Sequence, residues 1–182
     1  MKKVLLLGDS IRIGYQLHVA DELRGAAEVV GPEENGRFSK YTLWGVNLWL
    51  KELGQPDIIH WNTGLWDLHH EAPMVEALTS LDEYIETLTR IIQELKRTGA
   101  PLIFATTTPV HPMQSGRSNA EIDQYNRAAI ALMHQHRIEV NDLNAVVKER
   151  AEKYICDDLL HLTEEGSKAC ARQAADSIRK YL

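Results

Sequence analysis

Two short segments at opposite ends of the chain carry residue types that can act together on an electrophile. Gly8-Asp9-Ser10 follows the apolar run Lys2–Leu7, and Asp158-Leu159-Leu160-His161 precedes the last helical pattern. A serine hydroxyl is a weak nucleophile until a neighbouring base takes its proton. Histidine is the usual base, and a carboxylate fixes its tautomer and stabilises the imidazolium. A spacing of three lets one turn bring Asp158 against His161. If Ile11 onward is helical, Ser10 sits at a helix N-terminus, where free backbone N–H groups can face a developing oxyanion. Each segment also has an ordinary reading. Ser10 could be a plain helix N-cap, and Asp158–His161 a surface turn.

The elements that would bring the segments together alternate along the chain. Short apolar runs at Lys2–Leu7, Ala27–Val30, Asp57–Trp61, Leu102–Thr107 and Ile138–Val140 read as strands. Helical spacing is read at Ile13–Arg24 (Ile13, Leu17, Ala20 and Leu23 on one side), from a Thr42 cap to Gly54, and at Leu81–Arg97. It recurs at Asn119–Gln135, Leu143–Ala151 and after a Thr163 cap. Five such strands between helices predict a parallel sheet with helices on both faces, in one domain over 1–182. Loops after the carboxyl ends of parallel strands build the site, so Ser10 stands where chemistry is expected.

Composition narrows the class. With 44% hydrophobic and 25% charged residues, the 182-residue chain has enough apolar material for a core. Net charge is −6 with no basic stripe, so no nucleic-acid partner is expected. The first apolar run stops at Gly8, too early for a secretory leader, and no run approaches the roughly 20 residues that span a bilayer. Cys156 and Cys170 read as free thiols of a cytoplasmic protein. His60, His69, His70 and His111 have no zinc-ligand spacing and are read as loop or surface residues; no metal or cofactor is expected.

On these residues the chain resembles the SGNH, or GDSL, hydrolase family. Gly8-Asp9-Ser10 matches its first block and Asp158-x-x-His161 its last, while Thr106-Thr107-Thr108-Pro109 and Tyr125-Asn126 also fit. The resemblance implies a flavodoxin-like, three-layer α/β/α fold and cofactor-free ester hydrolysis by Ser10, His161 and Asp158. Asp157 also neighbours the histidine, but the family's spacing selects Asp158. The family's second block offers a glycine N–H to the oxyanion, for which Gly36 is the candidate, with a plain Asn-Gly turn as the alternative. Its third block reads Gly-x-Asn-Asp, and here the matching stretch is Gly64-Leu65-Trp66-Asp67. Trp66 thus stands in the place of the donor asparagine. Asn62, four residues earlier, is the candidate replacement.

Trp44 and Trp49 are expected in the core. Trp61 and Trp66 are expected beside the site, with Trp66 and His111 as substrate contacts and His69 as a further candidate. The reading is a serine esterase for small acyl groups, acetyl above all, on a carbohydrate or small-molecule alcohol. A lysophospholipase or thioesterase of the same family, and a non-catalytic binding module on this fold, are the alternatives. Oligomeric state is not legible.

Overall fold

The apolar runs lie side by side. In the computed structural model, which describes residues 1–182, five strands form one all-parallel sheet. They are β1 (Lys2–Leu7), β2 (Ala27–Val30), β3 (Ile58–Trp61), β4 (Leu102–Ala105) and β5 (Glu139–Asn141). Their order is β2-β1-β3-β4-β5. Every residue of β3 and β4 is buried, as expected of parallel strands covered on both faces. The strand order switches direction between β1 and β3, the place in an open parallel sheet where the loops after the strands build a site.

Seven helices cover the faces: α1 (Ser10–Glu22), α2 (Ser39–Leu53), α3 (Leu81–Lys96), α4 (Asn119–Gln135), α5 (Leu143–Lys148), α6 (Ala151–Tyr154) and α7 (Glu164–Arg179). Helices α1, α5 and α7 pack together, and α2 packs on α3, which packs on α4. The result is the three-layer α/β/α arrangement. Small residues let α7 approach closely: Ala169, Ala171, Ala174 and Ala175 are buried, and a Cβ on Gly166 would lie 2.5 Å from the Tyr154 carbonyl oxygen. Thr163 caps α7 as expected, its side chain accepting from the Gly166 N–H.

Several expectations are corrected. The buried seam of α1 is Ile11, Tyr15 and Val19 with Arg12, while Ile13 and Leu17 point outward at 42% and 75% exposure. An i, i+4, i+8 row headed by Ile11 fits the sheet better, because Tyr15 contributes more apolar area than Ile13 or Leu17. Thr42 is not a cap. Helix α2 begins at Ser39, and the Thr42 hydroxyl donates to the Gly36 carbonyl at 3.0 Å. Trp49 is in the core, but Trp44 is 66% exposed. Trp61 lies inside the sheet against Phe104 rather than beside the site. His60 is not a surface residue: it is fully buried on β3, and the Asn141 amide donates to its Nε2 at 2.9 Å. Burial pushes its pKa down to about 4, so the ring is held neutral.

Candidate active site

The Ser10 turn is built from the end of β1. Asp9, not Ser10, is the N-cap of α1, its Oδ1 accepting the Ile11 N–H at 3.0 Å. Ser10 is therefore the first helical residue, with no preceding turn to receive its own N–H. The ordinary role for this serine, capping, is already taken by its neighbour. Gly8 makes the turn possible. Its φ is +157°, and a Cβ there would lie 1.9 Å from Asn62 Oδ1 and 2.8 Å from Arg12 Cβ. Any side chain at this position would displace the Asn62 carboxamide, whose Nδ2 donates to Asp9 Oδ1 at 3.1 Å.

From the far end of the chain, the loop before α7 delivers His161. Its Nε2 lies 2.9 Å from Ser10 Oγ, and its Nδ1 lies 2.6 Å from Asp158 Oδ2. An ionised carboxylate only accepts, so Nδ1 carries the proton and Nε2 is the acceptor for the Ser10 hydroxyl. Asp158 Oδ1 also takes the backbone N–H groups of Leu160 and His161, at 3.0 and 2.9 Å. Burial alone would raise the Asp158 carboxyl. The hydrogen bonds from the His161 ring and from these two N–H groups outweigh it and hold the carboxyl below the ordinary range. The loop is closed by main chain, with an Ile155–Leu162 bridge, Cys156 N–H on the His161 carbonyl (2.7 Å) and Leu159 N–H on the Cys156 carbonyl (2.9 Å). Side chains of His161 and Asp158 are 44% and 50% exposed, so the pair opens to solvent.

The surrounding loops are tied down by buried polar residues to which the sequence assigned no bracing role. Arg12 is buried and donates to the Pro32 and Glu34 carbonyls at 2.9 and 2.8 Å, fixing the segment that leads to Gly36. Asp67 is buried and accepts from the Ser39 N–H (2.9 Å), the Ser39 hydroxyl (2.5 Å) and the Thr63 hydroxyl (3.2 Å). Burial pushes its pKa up to about 6 against these bonds. Asn126 clasps Thr107 in both directions, at 2.9 Å each way, and Asn144 donates to the same Thr107 carbonyl. The Thr106–Pro109 and Tyr125-Asn126 stretches therefore shape the loop after β4. A buried arginine with carbonyl partners leaves no pattern in sequence, which is why Arg12 was not legible.

The remaining candidates are placed as follows. Gly36 comes close to the nucleophile turn, but its N–H donates to the Gly8 carbonyl at 2.9 Å. This corrects the expectation of a free donor: the bond holds the α2-side loop against the turn. Asn62 is 5% exposed and touches the turn as described, with one Nδ2 hydrogen left over. Trp66 is half-buried in the loop after β3. His111 is half-buried too; its N–H donates to the Leu159 carbonyl at 3.0 Å, and its Nδ1 accepts the Met113 N–H. That places the loop after β4 directly on the loop of Asp158 and His161. His69 Nε2 is paired with Glu71 at 2.7 Å. No group of three or more His, Cys, Asp or Glu is arranged to hold a metal ion, and no helix is long and apolar enough to cross a membrane.

Known proteins share this architecture. An acetyl xylan esterase, AlAXEase, superposes with a TM-score of 0.81 at 19% identity, covering 97% of this chain and 99% of its own. An acetylxylan esterase from Geobacillus stearothermophilus gives 0.83 at 20%, covering 97% and 94%. A lipase/acylhydrolase from Enterococcus faecalis gives 0.86 at 18%, covering 99% and 96%. At these identities the likeness is one of fold. A search of curated proteins returned no match. The model of the GDSL-like lipase/acylhydrolase family matches residues 6–169, which include both the Ser10 turn and the His161 loop, and the chain belongs to that family.

Proposed function

We propose that the protein is a serine esterase that removes small acyl groups, acetyl above all, from a carbohydrate or small-molecule alcohol. The observation that carries the reading is the unbroken line from Asp158 Oδ2 through His161 to Ser10 Oγ, at 2.6 and 2.9 Å. Ser10 Oγ attacks the ester carbonyl while its proton passes to His161 Nε2. The tetrahedral intermediate collapses, and the same proton leaves with the alcohol. Water then attacks the acyl carbon as Nε2 takes its proton, and the acid is released as that proton returns to Ser10 Oγ. Asp158 keeps Nδ1 protonated throughout and faces the imidazolium.

An open site favours a short acyl group. The two largest surface cavities, of about 560 and 600 Å³, are lined by residues such as Trp44 and Arg90 and by Lys148–Lys153, and neither includes Ser10. Without a long apolar tunnel at the nucleophile, extra methylenes gain little burial. The acetylxylan esterases of the same fold point the same way. Hydrolysis of p-nitrophenyl acetate, butyrate, octanoate and palmitate checks this. Acetate should give the highest kcat/KM and palmitate the lowest. A maximum at octanoate or beyond would favour the lipid-directed reading.

The oxyanion in this proposal is held by the Ser10 N–H and by the free Nδ2 hydrogen of Asn62, since the Gly36 N–H already bonds Gly8. Removing a donor that acts in the transition state lowers kcat by about 10²–10³ with little change in KM. Asn62→Ala should show that split. It also strips one partner from the buried Asp9 carboxyl, so the melting temperature should fall as well. A variant with a lowered melting temperature and normal kcat would leave Asn62 as a brace for the turn.

A further inference from the structure

Arg117 is gripped by one nitrogen and open at two. Its Nε donates to the Leu65 carbonyl at 2.6 Å, the tightest bond between the loop after β4 and the loop that carries Trp66. The same two loops are also joined where the Gly116 carbonyl accepts the His70 N–H at 2.8 Å, and His70 Nε2 lies 2.9 Å from Glu121 in the first turn of α4. A long flexible side chain is thereby fixed at its last rotatable bonds. Its Nη1 and Nη2 make no hydrogen bond to the protein, and none of the chain's ion pairs includes it. The acids that act on the guanidinium are Asp9, beside the nucleophile, and Glu71, which is already bonded to His69. Asp9 Oδ1 accepts from Ile11 and Asn62, and its buried Oδ2 makes no hydrogen bond to Arg117 or to any other group. The half-buried cation is therefore fixed to the loop that carries Trp66, beyond the carboxyl ends of the strands, with its fork of donors unfilled. Partial burial pulls its pKa below the usual value, a sign that solvent compensates the charge incompletely.

Such an arrangement has a specific complement. Two parallel N–H groups of a guanidinium match the two oxygens of a carboxylate, and pre-ordering the fork removes much of the entropy cost of the grip. We propose that Arg117 is a specificity-determining residue, and that the ester this enzyme cleaves carries a carboxylate in its alcohol portion. This rests on the esterase reading above. Trp66, next to Leu65, would then line the same portion of the substrate, while the acyl group lies towards Ser10 and His161. A neutral alcohol would leave the guanidinium facing water alone.

The test compares 4-acetoxybenzoate with its neutral methyl ester, in wild type, Arg117→Ala and Arg117→Lys. Both compounds carry the same acetyl group, and the para carboxylate cannot reach the ester carbonyl on its own. The ratio of kcat/KM, charged over neutral, should fall by tenfold or more in Arg117→Ala, chiefly through KM. It should recover in part in Arg117→Lys, which restores charge without the fork. In parallel, binding of 4-acetoxybenzoate to the Ser10→Ala protein should weaken to a similar degree when Arg117→Ala is added. A ratio unchanged within twofold, with both esters slowed alike, would reduce Arg117 to a strut under Leu65 and overturn the proposal. Failure of wild type on both esters would instead count against the esterase reading, while the binding measurement still decides whether Arg117 recognises the carboxylate.

Discussion

Ser10→Ala should abolish ester hydrolysis, lowering kcat by on the order of 10⁶, with the fold intact. The size follows from the role. Attack, proton transfer and acyl-enzyme formation all pass through one oxygen, and neither the histidine nor the oxyanion donors can act on an acyl group that is never captured. The structural cost is small by contrast. Ser10 is neither a cap nor part of the buried seam of α1, and the bond lost is one contact to the partly exposed His161. Stability should change by about 0.5 kcal/mol or less, as for an ordinary surface substitution. A fluorophosphonate probe gives the matching positive result: wild type should be labelled covalently at Ser10, and the variant should not. Activity within tenfold of wild type in the variant would remove Ser10 from the chemistry.

Asp158→Asn should lower kcat by about 10⁴ without disturbing the loop. In the native site Asp158 Oδ1 accepts two backbone N–H groups and Oδ2 faces His161 Nδ1. An asparagine keeps the first oxygen and its backbone bonds, so the loop stays closed. Its amide nitrogen, however, meets Nδ1 with hydrogens of its own. The imidazole then moves its proton to Nε2, which presents a donor to Ser10 where an acceptor is needed. The carboxyl of Asp158 is held below the ordinary range, so this role persists as pH falls until the carboxylate itself is protonated. Asp157→Asn is the control. Asp157 is exposed and makes no side-chain hydrogen bond, so its kcat should stay within twofold of wild type. Equal losses in the two variants would mean that the loop's charge, not the His161 tautomer, sustains activity.

The candidate nucleophile and base stood out in the sequence because each sits in a contiguous block with a fixed offset. The strands were equally plain, since parallel strands buried on both faces are uninterrupted apolar runs. Helix phase was harder. On α1 the outward Ile13 and Leu17 are as apolar as the inward Ile11 and Val19, and only the sheet decides between them. Trp44 turned outward and Trp61 inward for a related reason: tryptophan type does not encode which face of α2 or β3 it stands on. What sequence could not give at all was the competition for donors. Nothing in Asn35-Gly36-Arg37 says that the Gly36 N–H will bond the Gly8 carbonyl, or that Arg117 will meet the carbonyl of Leu65. Those contacts join residues about 30 and 50 positions apart, and they exist only once the loops are folded against each other.

The loop that carries His161 is held by its own peptide groups and by one side chain, Asp158, whose Oδ1 takes two of its N–H groups. Cys156, Leu159 and His161 are joined through N–H and carbonyl groups, the Ile155–Leu162 bridge closes the ends, and even His111 reaches in by its N–H to the Leu159 carbonyl. Backbone bonds do not depend on side-chain identity. The exposed position 157 and the half-buried position 159, where φ is +69°, can therefore change over generations while His161 keeps its place, as long as residue 159 tolerates that conformation. Variants at positions 157 and 159 that respect this backbone should therefore alter the rim around His161 without moving the ring away from Ser10.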